Sequence, residues 1–239
     1  MMPSLPGSSR PGPTPDARSL TDAMRSRSAD PRPLLTWVHG PDRVELSGTT
    51  TMTWVAKTVQ LLADEGVVAP ARIGLPVLGD RPGHWVGAVW LLSCWWAGWT
   101  PVLATDARVD PGTLDVVVTG PDDAAGRAAP TALFVQCSLD ALGRPCAHPA
   151  PGALDHADCL AMPDALPPAG PTGEPWWAPG AVGPSPIADR VLLDRPAPAV
   201  VAGTLAGCLL GGGSLVLLDG PADGSVYDLA RAEGARRPG

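Results

Sequence analysis

Apolar residues along this chain recur with two different periods, and the switches between them mark out its elements. Residues 34–39 and 44–47 have the apolar and β-branched content of strands, and Gly40-Pro41-Asp42 between them is hairpin-turn chemistry. Ser47 or Thr49 then caps a helix running to about Asp64, with Val55, Val59 and Leu62 at i, i+4 and i+7 and Gly66 closing it. Residues 72–78 read as a short apolar strand. The helix expected over residues 83–97 is apolar all round, with Trp85, Val89, Leu92 and Trp96 on one face and Trp90 and Trp95 elsewhere, which requires burial on most sides. Residues 102–104, 114–119 and 133–136 read as further strands. From 139 to 188 prolines are frequent and no period is sustained, apart from a short helix expected at 154–160. Order returns with a strand at 189–193, a helix carrying Val201, Leu205, Cys208 and Leu209 on one face, a strand at 214–218 and a last helix over about 225–233.

Within this pattern one block occurs twice. Residues 72–106 and 190–219 each read strand, helix, strand, and each contains Asp-Arg-Pro ahead of an uncharged stretch and a glycine before the second strand. Asp194 follows Asp80, and Cys208 follows Cys94, by the same 114 residues. Two such units predict an α/β fold, a parallel or mixed sheet flanked by helices and built from similar halves. The expected layout is a flexible tail over residues 1–31 and one domain over 32–239. Its first half is 32–138, its Pro-rich connection 139–188 and its second half 189–239.

Composition narrows the function classes. A hydrophobic content of 45% against 17% charged residues is that of a folded domain, and a net charge of −7 argues against a nucleic-acid partner, which would need clustered cations. The uncharged runs 82–105 and 196–218 are each long enough to span a bilayer. Both are interrupted by glycine near their last third, which favours buried helix–strand units over membrane spans. Five cysteines without a C-x-x-C pair, and a start lacking a basic-then-apolar leader, point to reduced thiols in the cytoplasm. Lys57 is the only lysine, so any mechanism needing an ammonium has one candidate. Its position in the middle of the first long helix reads as a surface residue.

Several residues together carry a resemblance. Leu46-Ser47 with its helix, Arg72-Ile73-Gly74-Leu75-Pro76, the apolar helix, Ala97-Gly98 and Pro101-Val102-Leu103 resemble the opening of adenylate-forming enzymes, the acyl-CoA synthetase and AMP-binding ligase proteins. Residues 189–193, the helix after them and Gly212-Gly213-Ser214-Leu215-Val216-Leu217 resemble the stretch following the phosphate loop of those enzymes. The compact layout also resembles short, uncharacterised proteins related to the front of that fold. The resemblance implies a shared N-terminal-domain fold. It also shows what is missing. The family signature is a Thr-Ser-Gly-Thr-Thr-Gly-like run ending in Pro-Lys-Gly, whose amides cradle phosphate while the lysine offsets developing charge. Ser47-Gly48-Thr49-Thr50-Thr51 stands before the first long helix and reads as a cap. Ahead of Asp189, Thr172, Gly173, Glu174 and Pro175 match the tail of the signature, with Trp176 in the lysine position and prolines 167, 168 and 171 upstream. Thr172, Gly173 and Glu174 are thus a vestigial phosphate loop. No Tyr-Gly-x-Thr-Glu run or later Thr-Gly-Asp occurs.

The expectation is a non-catalytic, degenerate AMP-binding-type domain acting as a scaffold or regulator, with no catalytic residue and no cofactor, and with an unidentified protein partner. One alternative is an AMP-forming acid ligase completed by a partner chain, in which case ATP or AMP and Mg would bind. Another is a small zinc-stabilised interaction module using Cys137, Cys146, His148, His156 and Cys159. Their C-x₈-C-x-H-x₇-H-x₂-C spacing matches no common finger, so unligated loop residues are the simpler reading. Neither Ser93 nor Ser214 lies in a G-x-S-x-G elbow, and Trp176-Trp177 forms either a plug over the core or a docking patch.

Overall fold

Alternation within strand β9 (Ser214–Ala222) accounts for the layering. In the computed structural model, which describes residues 19–103, 110–121, 131–171 and 184–237, Leu215 and Leu217 point into the main core while Val216 and Leu218 point into a second, smaller cluster. A strand buried on both faces needs cover on both. The main core is shared with β1 (Pro33–Gly40), α2 (Gly48–Asp64) and α4 (Trp85–Ala97); the second is closed by α6 (Val226–Ala232).

Two sheets result. One has the order β2-β1-β9-β8, with β2 (Asp42–Ser47) antiparallel to β1 and β8 (Arg190–Asp194) parallel to β9. The other is parallel throughout, in the order β4-β3-β5-β6-β7, formed by β4 (Thr100–Leu103), β3 (Arg72–Leu75), β5 (Val116–Thr119), β6 (Leu133–Gln136) and β7 (Leu154–Asp155). The α/β class with parallel and mixed sheets is therefore correct. Helix α4 packs on β1 of one sheet and on β3 and β4 of the other, which is why nearly every side of it had to be apolar.

Local signals behave as their chemistry dictates. The Ser47 hydroxyl accepts the Thr50 N–H at 3.0 Å and caps α2. At its far end Gly66 (φ 80°) lets the Val67 N–H reach the Leu62 carbonyl and its own N–H reach Ala63, a Schellman closure.

The repeated block is real as secondary structure but divided between the sheets: β3–α4–β4 belongs to the all-parallel sheet and β8–α5–β9, with α5 at Pro198–Gly211, to the mixed one. The 114-residue offset holds from Cys94 and Cys208, both fully buried, through the left-handed caps Gly98 and Gly212 to the strand starts Thr100 and Ser214. Before the helices it fails. Asp194 ends strand β8, whereas Asp80 ends a four-residue helix, α3 (Val77–Asp80), placed between β3 and α4. The apolar strand expected to reach residue 78 accordingly stops at Leu75.

The expected tail over 1–31 needs correction in its last third. Leu20–Arg27 is a helix, α1, capped by Ser19, with Met24 fully buried against the core. Residues 1–18 lie outside those described. In the irregular connection, the short helix expected at 154–160 is the strand β7 followed by a 3₁₀ turn, His156–Ala161.

Candidate functional site

Side chains from both sheets meet where their parallel strands end, the place in α/β folds where chain segments diverge and leave room for a ligand. Asp219, late in β9, receives the Trp37 indole N–H at 3.0 Å and forms an ion pair with Arg81, which lies just beyond α3. The same guanidinium donates to the Leu139 carbonyl at 3.4 Å and stacks 5.8 Å above the Trp37 ring. His39, at the end of β1, bonds through Nδ1 to the Asp219 carbonyl. Asp80 accepts the Gly120 N–H at 3.1 Å just after β5. Gly83 passes so close to Asp219 that a Cβ there would lie 3.0 Å from its Cα. His84 caps α4 by accepting the Val86 N–H at 3.3 Å on Nδ1. It is fully buried; burial first, and then the charge of Arg81, push its pKa down to about 4, so the ring is neutral at physiological pH. This arrangement ties the two sheets together and neutralises Arg81.

Directly after β6 the chain makes a tight loop, residues 137–146. Leu139 (φ 54°) and Gly143 (φ 69°) both turn with positive φ, and Gly143 has no room for a Cβ because the Trp54 ring lies 2.7 Å from where it would be. Trp54 meets Trp85 edge to face at 5.0 Å, and the Trp85 indole donates to the Ala141 carbonyl at 3.1 Å, so the loop is pinned from beneath. Its amides point inward to a carboxylate: Asp140 Oδ1 accepts the Leu142 N–H at 2.8 Å and the Arg144 N–H at 3.4 Å. These bonds, Leu142 first, hold the Asp140 carboxyl below the usual range. The Ser138 hydroxyl accepts the Asp140 N–H at 3.2 Å and donates to the Arg144 carbonyl at 2.5 Å.

This loop was not singled out by sequence reasoning. Ser138 and Gly143-Arg144-Pro145, coming straight after a buried strand, echo the Ser and Gly-x-Pro of the phosphate-loop signature, with Cys146 where the lysine would stand. That order of strand, serine and Gly-x-Pro was the usable signal. The expected vestigial loop, Thr172, Gly173 and Glu174, lies outside the described residues, as do Trp176 and Trp177. Its flanks are described. The Gly170 N–H bonds to Trp96 at the end of α4, and Ile187 bonds to Gly207 and Gly213 at the end of α5. Both flanks therefore sit near the starts of β4 and β9, away from the carboxyl-end cluster.

Lys57 is not a free surface residue. Its ammonium donates to the carbonyls of Leu160 at 3.1 Å and Met162 at 2.5 Å and pairs with Asp164 at 2.8 Å, clamping the segment after the 3₁₀ turn onto α2. Cys137 and Cys159 are buried, and burial pushes the Cys159 thiol up to about 12. His156 is enclosed beside Trp90, shares a 3.0 Å hydrogen bond with Thr58, and is lowered by burial to about 4. Among the described residues no three His, Cys, Asp or Glu side chains are placed to hold a metal ion. Nor is any described helix long and apolar enough to cross a membrane.

With this geometry in hand, solved structures supply the likeness. The chain superposes on an acetoacetyl-CoA synthetase from Streptomyces lividans with a TM-score of 0.66 and 19% identity, over 91% of this chain and 41% of that one. The fold is that of the acyl-CoA synthetases. An acyl-CoA synthetase from Brucella canis gives a TM-score of 0.59 and 16% identity, again over 91% of this chain and 46% of the other. The chain thus spans less than half the length of these enzymes. A TIGR03089 family protein of Mycobacterium tuberculosis (strain ATCC 25618 / H37Rv) is 34% identical over 126 residues, 50% of this chain and 48% of the relative. No protein-family model matches.

Proposed function

We propose that the protein is a non-catalytic domain of the adenylate-forming type, acting in the cytoplasm as a scaffold or regulator through binding. The observation that carries this reading is the loop after β6, where the Asp140 carboxylate takes the amides that a phosphate would need. A fixed negative charge at that spot repels a second one, and Cys146, protonated at neutral pH with its thiol pushed up to about 11, stands where an ammonium would offset the charge. The chain's one lysine is held at Leu160, Met162 and Asp164. A ligand that binds the native state raises its melting temperature by mass action, so the test is a thermal-shift titration with MgATP, with and without a panel of carboxylic acids. No shift that depends on the loop after β6 is expected. A saturating shift abolished by Ser138→Pro would overturn the reading.

A second reading is supported by the fold likeness and the length together: an AMP-forming acid ligase whose remaining groups come from another chain. It expects MgATP to bind once that partner is added, and the same titration with the partner present separates the two.

A further inference from the structure

At the opposite end of the mixed sheet's parallel strands, where β1, β8 and β9 begin, lies an open cleft of about 690 Å³ whose lining includes Arg27, Arg32, Arg43 and Arg190. A neighbouring hollow of about 320 Å³ shares Arg27 and Arg32. Four arginines in one cleft stand out in a chain of net charge −7. Their partners are three carboxylates. Glu233 lies between Arg43, at 2.8 Å, and Arg190, at 2.5 Å; Glu45 lies between the same two, at 2.6 and 3.4 Å; Asp30 lies between Arg27, at 2.7 Å, and Arg32, at 2.9 Å. One positive charge is left over, and the two signs are not equally placed. The Glu233 and Asp30 side chains are only 9% and 10% exposed, whereas Arg32 and Arg43 are 74% and 45% exposed. Glu233 and Asp30 thus lie deeper than Arg43 and Arg32, the two guanidinium groups most open to solvent at the cleft, while Glu45 is 35% exposed and Arg27 and Arg190 only 5% and 17%. Arg43, and then Arg190, hold the Glu233 carboxyl below its usual range, so this ordering persists into mild acid.

We propose that this cleft is a binding site for a small multivalent oxyanion, a molecule carrying a phosphate ester, a pyrophosphate or several carboxylates. Planar guanidinium forks match such oxygens two at a time, and the volume suits a metabolite-sized ligand. The site is separate from the loop after β6 and independent of what that loop does.

Isothermal titration at low salt with inorganic pyrophosphate and with citrate tests it. At least one probe binds at sub-millimolar concentration, and affinity falls with added salt. Arg32→Ala and Arg43→Ala each weaken binding about tenfold. Glu45→Gln tightens it, because it removes a competing charge, and this variant answers the objection that losing Arg43 merely loosens α6. Arg195→Ala, at the other end of β8, leaves it unchanged. Pyrophosphate alone binding identifies a phosphate-bearing ligand, and citrate alone a polycarboxylate. No binding of either probe at millimolar concentration, or equal losses in the Arg32 and Arg195 variants, would overturn the proposal. MgATP binding that survives both arginine variants would instead contradict the reading of the β6 loop, so the two failures are distinguishable.

Discussion

The units β3–α4–β4 and β8–α5–β9 carry helices that are almost equally devoid of charge, yet they live in different surroundings. Helix α4 lies between two sheets, and of its thirteen residues only Trp95 is not fully buried. Helix α5 buries Val201, Leu205, Cys208 and Leu209 and leaves Ala199 and Val200 exposed. Their ends differ too. In α4 the Cys94 carbonyl is satisfied by backbone, the N–H groups of Gly98 and Trp99; at the matching place in α5, Arg27 from α1 reaches the Cys208 carbonyl at 3.5 Å and bonds the Gly213 carbonyl. One pattern of residues thus serves as a central slab in one sheet and as a flank in the other. What a helix must bury is set by the layer it joins.

The strongest way to break that contrast is to hollow each helix. Trp90→Ala in α4, removing a fully enclosed indole, costs about 3–5 kcal/mol by urea unfolding, while Val200→Ala on the open face of α5 stays within about 0.5 kcal/mol. Equal losses would show that α5 is as central as α4. Next comes the cap unique to the second unit. Arg27→Ala strips two carbonyls and leaves Asp30, with its 10% exposed side chain, short of a partner, at a cost of about 3 kcal/mol.

Acid sharpens the comparison from the other side. His84 and His156 both pack on α4, and burial lowers the pKa of each to about 4. Because the unfolded chain takes up these protons at about pH 6.5, stability is full above that value and is lost as the pH falls toward 4. The loss is about 3 kcal/mol per histidine. Hydrogen exchange at pH 5 is therefore expected to rise first in α4; a loss confined to α5 would refute this.

The smallest effects come from the matched caps. Gly212→Ala finds open space and pays only for positive φ, about 1 kcal/mol. Gly98→Ala would also drive its Cβ into the Pro171 carbonyl, so its melting temperature drops further than that of Gly212→Ala.

Much of this was written locally. Strand and helix periods and the Ser47 cap are short-range properties, and the folded chain keeps them; the 114-residue offset it keeps only from Cys94 and Cys208 onward. The division into two sheets was not legible, because a strand–helix–strand block does not say which strands lie beyond it; the pairing of Leu35 with Leu215 joins residues far apart in sequence. Helix α1 was hidden by its Arg, Ser and Asp content and shows itself only through Met24 and Arg27, which need the rest of the fold to be buried. Lys57 looked free because its partners stand 103 or more residues away. The loop after β6 was overlooked for a different reason: its key group, Asp140, is not in the signature, and its carboxylate meets the loop amides only once Leu139 and Gly143 have turned the backbone.

The central proposal is that this chain, with a carboxylate in its β6 loop and its one lysine held elsewhere, does not adenylate. Pyrophosphate exchange into ATP, measured on the purified chain with Mg and a panel of carboxylic acids, tests that most directly. Losing even one preorganised donor costs about a hundredfold or more in rate, and on the proposed reading the donors and the cation are lost together. The account predicts exchange at background for every acid. Exchange above background that Ser138→Pro or Gly143→Pro abolishes would contradict it and establish the loop as a working phosphate site.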